Sequence, residues 1–93
     1  MIMNKQEFLI TSGLEGGTLQ LWIDQEWLIP QETDAGPTFS DRDVARARLI
    51  QDLKRDFGVN DEGVDVVLHL VDQLHGMRRL LALLRNDLRK DPV

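Results

Sequence analysis

The chain has no cysteine, so disulfides and thiolate metal sites are excluded. Its two histidines, His69 and His75, stand six apart, whereas a helical pair that grips a metal from one face is spaced four. They read as ordinary helix residues, and no metal or cofactor is expected. No apolar run approaches the roughly 20 residues that span a bilayer, and no signal peptide is evident, which makes a cytoplasmic location the expectation. There is no nucleophile–base constellation and no glycine-rich phosphate loop, and Glu15-Gly16-Gly17 is a turn, so an enzyme is not expected. Basic residues are nearly missing from the first 39 positions, where Lys5 stands alone against Glu7, Glu15, Asp24, Glu26, Glu32 and Asp34. Residues 40–93 carry ten charges of each sign, so the whole net charge of −5 belongs to the N-terminal part.

Ninety-three residues allow a single domain, 1–93, with a thin core that oligomerisation would extend. Four helices and one hairpin are predicted. Asn4 with Glu7 forms a capping box for a short helix through Phe8, Leu9 and Ile10. After the Gly16-Gly17 turn, Thr18 can cap a second helix bearing Leu19, Trp22 and Ile23, which Pro30 stops by about Leu28. Asp34-Ala35-Gly36-Pro37 is a strong turn signal for a small hairpin with Ile29 and Phe39 near its base. Ser40 with Asp43 opens a third helix whose apolar face is Val44, Leu49, Ile50, Leu53 and Phe57, with Gly58 at its C-terminal end.

Asn60 caps a long fourth helix. Val67, Leu70, Leu74, Met77, Leu81, Leu84 and Leu88 follow alternating steps of three and four, an a/d seam of about three heptads, flanked by Val64, Leu68, Val71 and Leu80. The seam outruns the body that three short helices can build, which predicts a homodimer through it. Asp61, Glu62, Asp65 and Asp72 occupy the first half, and Arg78, Arg79, Arg85, Arg89 and Lys90 the second. This layout suits the helix dipole, and it also suits antiparallel pairing of two such helices.

Helix-turn-helix, small wing, third helix, then a long dimerising helix is the order of the MerR family, which the chain resembles without gaps from Asn4 to Phe57. The resemblance implies a mainly all-α fold: a MerR-like winged helix-turn-helix part (1–58) with a small β-hairpin wing, and a long C-terminal dimerisation or partner helix (60–90). Thr18, Leu19, Trp22, Leu28 and Pro30 fall where the family's recognition helix and its run-in to the wing have threonine, leucine, an aromatic, leucine and proline. Phe39-Ser40-Asp41 through Leu53 resembles the start of its next helix. The departures bear on function. Gln20 and Leu21 stand where the family usually has arginine and commonly tyrosine, and Pro37-Thr38-Phe39 replaces an Arg-Arg-Tyr triplet. Each change removes a phosphate or base donor, and phosphate neutralisation supplies most non-specific DNA affinity. No specific DNA binding is therefore expected.

The same frame, with a degenerate recognition helix, an acidic surface and a leucine-rich last helix, resembles the chaperone modulator CbpM family. That resemblance implies binding to the J-domain of a DnaJ/CbpA-like co-chaperone and its inhibition by occupancy. An acidic surface suits the basic helix of a J-domain. Asp61, Glu62, Asp65 and Asp72 are candidate contacts, and Asp24, Glu26 and Trp27 form a second patch. Trp22 is expected in the core. Trp27 fits either the patch or a place under the wing. The competing reading is a MerR-type DNA-binding regulator, in which Arg42, Arg46 and Arg48 would carry the phosphate contacts. Pairing of those arginines with neighbours such as Asp43 and Asp52 is the plainer account. An antitoxin-like interaction protein is a third reading.

Overall fold

The computed structural model describes residues 1–90, and residues 91–93 of the expected domain 1–93, like the Lys90 side chain, lie outside that description. The element order is β1 (Ile2–Met3), α1 (Lys5–Ser12), α2 (Gly16–Asp24), β2 (Gln31–Thr33), β3 (Gly36–Ser40), α3 (Asp41–Arg55) and α4 (Asp61–Lys90). This is a mainly helical winged helix-turn-helix arrangement with a long last helix.

The caps follow the residues. Glu7 N–H donates to Asn4 Oδ1 at 2.8 Å and Asn4 N–H to Glu7 Oε1 at 3.0 Å, closing the capping box of α1. Gly13 ends that helix at φ +74°, a left-handed conformation that glycine adopts without a Cβ penalty. Ser40 N–H donates to Asp43 Oδ2 at 2.9 Å at the start of α3, and Gly63 N–H to Asn60 Oδ1 at 2.8 Å at the start of α4. Gly58 takes φ +62° just beyond α3, which lets Val59 N–H reach the Leu53 carbonyl at 2.9 Å.

Four local expectations need correction. The second helix begins at Gly16 behind Glu15, so Thr18 lies inside it and caps nothing. Gly16 and Gly17, expected as a turn, are thereby its first residues, and the helix stops at Asp24, within the limit that Pro30 sets. A left-handed Glu26 (φ +61°) turns the chain so that Trp27 N–H and Leu28 N–H both bond to the Trp22 carbonyl, at 2.9 and 3.3 Å. Phe57 is 74% exposed and leaves the face of α3, where Ala47 joins Val44 and Ile50 in the core. The hairpin gains a third strand, because β1 pairs antiparallel with β3 (Ile2 opposite Ser40, Met3 opposite Phe39) to give the order β1-β3-β2. Two residues of strand carry no periodicity to detect.

The core joins Met3 of β1, Phe8 of α1, Leu19 and Trp22 of α2, Trp27 and Leu28 of the following loop, Phe39 of β3, and Val44, Ala47 and Ile50 of α3. Phe8 stacks on Phe39 with centroids 4.3 Å apart, which fixes the wing against α1. From α4 only Val64 and Leu68 are fully buried in this core. A 30-residue helix is about 45 Å long, and the molecule's longest extent is 56 Å. The second half of α4 therefore runs beyond the body.

Candidate protein-binding face

The face built by α2 and the wing is apolar and acidic. Between the end of α2 and the first strand of the wing lies an open groove of about 360 Å³, lined by Ile23, Glu26, Leu28, Ile29, Pro30 and Glu32. The turn at Glu26 makes this groove: it drops Trp27 and Leu28 into the core and returns Ile29 to the surface, 73% exposed. Leu21, on the outer side of α2, is also exposed. Asp24 lies beside the groove, its Oδ1 accepting from Gln20 Nε2 at 2.9 Å. Asp34 lies in the turn between β2 and β3. No lysine or arginine occurs between Lys5 and Arg42, and among the described residues none of these acids forms an ion pair.

The acids of α4 are placed differently. Asp65 Oδ1 accepts from Trp27 Nε1 at 2.5 Å. Asp72 forms a forked pair with Arg46, Nη1 to Oδ1 at 2.7 Å and Nη2 to Oδ2 at 3.2 Å. Asp61 pairs with Lys54, whose ammonium also lies 5.7 Å from the Trp27 ring centroid, a cation–π distance. Arg46 Nε donates to the Trp27 carbonyl at 2.5 Å. Asp61, Asp65 and Asp72 thus hold the first half of α4 on α3 and on the loop after α2. Glu62 is the one of the four α4 candidates that makes no ion pair or side-chain hydrogen bond among the described residues.

The second acidic patch is corrected in one member. Trp27 is 2% exposed and tilts against Trp22 at a centroid distance of 6.0 Å, so its ring is core, while Asp24 and Glu26 remain exposed. Sequence reasoning missed Ile23, Ile29, Pro30 and Glu32 as groove residues, although Asp24-Gln25-Glu26 set between apolar Ile23 and Trp27-Leu28-Ile29 is the available signal. It also placed Arg46 among neighbours of its own helix. No short-range rule points from residue 46 to residue 72.

Arg46 grips two partners, and this predicts an asymmetry. Arg46→Ala removes the forked pair and leaves the Trp27 carbonyl without its donor, for a cost of about 2 kcal/mol. Asp72→Ala removes a pair whose carboxylate is 57% exposed, which solvent screening holds to about 1 kcal/mol or less. Urea unfolding of both variants measures the difference. Equal costs would show that the bond to Trp27 contributes nothing.

The seam residues separate from the core face. Val67 is half-buried. Leu70, Leu74, Met77, Leu81, Leu84 and Leu88 are exposed, from 49% for Leu74 to 79% for Leu88. Since each residue turns the helix by about 100°, these six lie about a third of a turn from the Val64–Leu68 stripe. Among the described residues none of the six belongs to the core or packs against it.

Among the described residues there is no cluster of potential metal ligands, and no helix is long and apolar enough to cross a membrane. A family model described as MerR HTH family regulatory protein matches residues 3–86. No curated protein and no solved structure matches the chain.

Proposed function

Because the chain belongs to the MerR helix-turn-helix regulatory family, we propose that it is a chaperone modulator of the CbpM type, which holds the J-domain of a DnaJ/CbpA-like co-chaperone in the cytoplasm and inhibits it by occupancy. The observation that carries this reading is the α2–wing groove. The face on which this family reads DNA here offers Ile23, Ile29 and Pro30, floored by the buried Leu28, between Glu26 and Glu32, with no basic residue from position 6 to position 41. A phosphate backbone is repelled by such a face. A basic amphipathic helix, as a J-domain presents, finds both an apolar bed and opposite charge there, so charge speeds the encounter and apolar contact slows release.

The acids assigned from sequence divide accordingly. Asp24 and Glu26 stay as contacts and Glu32 joins them. Asp61, Asp65 and Asp72 would have to give up bonds to their own chain before reaching a partner, and Glu62 alone of that group is unencumbered. The proposed homodimer rests on the apolar seam of α4. Antiparallel pairing of acids with bases contributes less, since Asp61, Asp65 and Asp72 already have partners.

Calorimetric titration of a J-domain tests the proposal. Saturable binding is expected, with an association rate that falls as salt rises. Glu26→Lys plus Glu32→Lys should lower affinity about tenfold or more, roughly 1.4 kcal/mol, with an unchanged circular dichroism spectrum, because exposed substitutions shift stability by about 0.5 kcal/mol or less. Wild-type affinity in the folded double variant would move the site away from the groove. A sequence-dependent gel shift with the protein's own promoter, in place of J-domain binding, would make the protein a DNA-binding regulator instead.

A further inference from the structure

A second charged surface lies between α3 and α4 and has the opposite sign. An open cleft of about 520 Å³ is lined by Arg42, Asp72, His75, Arg78 and Arg79, and its one carboxylate, Asp72, is held by Arg46. The spacing explains the lining. Arg42 precedes Arg46 by one turn of α3, and His75 and Arg79 follow Asp72 by about one and two turns of α4. The two helices meet at the ion pair and present guanidinium groups along both sides beyond it.

The acids close to this cleft are already committed. Asp72 is neutralised by the forked Arg46 pair. Asp43 caps α3 through Ser40 N–H, and Asp41 lines a different recess with Met1 and Met3. Arg42, Arg78 and Arg79 have no ion-pair partner among the described residues. Three unpaired guanidinium groups facing one concavity repel one another, and an anion relieves that repulsion while taking forked hydrogen bonds.

We propose that this cleft binds a short acidic peptide segment of a partner protein, two or three carboxylates long. The limit on length follows from charge. A nucleic acid strand outruns three arginines and meets a molecule of net charge −5, whereas duplex binding draws on roughly six to ten phosphate contacts. A short segment ends before it reaches the acidic N-terminal part. The cleft also lies well around α4 from the leucine seam, so a second chain on that seam leaves it open. The protein then carries two binding surfaces of opposite preference: a basic helix in the α2–wing groove and an acidic segment between α3 and α4.

Fluorescence anisotropy of a labelled, C-terminally amidated triglutamate peptide tests this on the full chain. Saturable binding that weakens with salt is expected, and Arg42→Ala with Arg78→Ala and Arg79→Ala should weaken it about tenfold or more. Amide shifts of the wild-type protein in NMR titrations should cluster at Arg42, His75, Arg78 and Arg79, a readout that does not depend on the variant folding. Absence of saturable binding, an unaffected triple variant, or shifts centred elsewhere would overturn the proposal. Equal affinity for a single-stranded oligonucleotide of the same charge would overturn it in favour of a phosphate-binding cleft, and in every outcome the J-domain titration reads the other surface separately.

Discussion

Trp27→Ala should lower the unfolding free energy by about 3–5 kcal/mol, the cost of deleting a large aromatic from a packed core. The ring is 2% exposed and packs on Trp22, and its Nε1–H is bonded to Asp65. The truncation therefore opens a cavity and strips Asp65 of its donor in one step. Trp27→Phe separates the two losses: it retains an aromatic ring, forfeits the hydrogen bond and should cost distinctly less, with about 1 kcal/mol of that from the bond. Urea unfolding of the pair measures both. On the proposed function, any fall in J-domain affinity of Trp27→Ala should follow its unfolded fraction and vanish where the variant is folded. A variant that kept its stability but lost J-domain affinity would make Trp27 a contact residue and contradict its burial.

The consequence for α4 is that Asp61, Asp65 and Asp72 are structural before they are anything else. A charge reversal at Asp65 and Asp72 removes the Trp27 and Arg46 bonds together, so such a variant reports on the docking of α4. The Glu26 and Glu32 reversals disturb no bond to the rest of the chain, which is why they isolate the groove.

What was legible in the sequence is what short-range chemistry dictates. Asn4, Ser40 and Asn60 announce the starts of α1, α3 and α4 because a capping side chain needs only the next three residues. The hairpin was legible from Asp34-Ala35-Gly36-Pro37 for the same reason, and the leucine seam from its period. The family frame carried the mainly helical winged fold, to which the match over 3–86 and the observed elements agree. The illegible features join residues far apart in sequence. β1 exists because Met3 pairs with Phe39. Trp27 is core because Glu26 accepts a left-handed turn that glutamate rarely adopts, an outcome that packing decides. The charge pattern of α4 suits the helix dipole and antiparallel pairing, yet Lys54, Trp27 and Arg46 take up three of its acids from positions between 7 and 38 residues away. In each case the composition was visible and the partner was not.

Leu81→Asp should convert the protein from a dimer to a folded monomer. Leu70, Leu74, Met77, Leu81, Leu84 and Leu88 are exposed on a half-helix that its own core does not reach, and each large apolar side chain is worth about 1.5–3 kcal/mol when buried. In the proposed homodimer a second copy of the same stripe would cover them with coiled-coil spacing, with Leu81 near the middle of that contact. An aspartate there must enter the interface unpaired, which costs several kcal/mol or forces the helices apart. The fold should survive, because Leu68, the last residue of α4 in the core, is thirteen residues away, about 20 Å along the helix. Leu68→Asp is the contrast: it places a charge in the core itself and should unfold the chain. Light scattering gives the mass of each variant and circular dichroism its helix content. A folded Leu81→Asp protein with unchanged dimeric mass would show that the seam is not the interface, and a monomeric wild type would leave the stripe free for another partner.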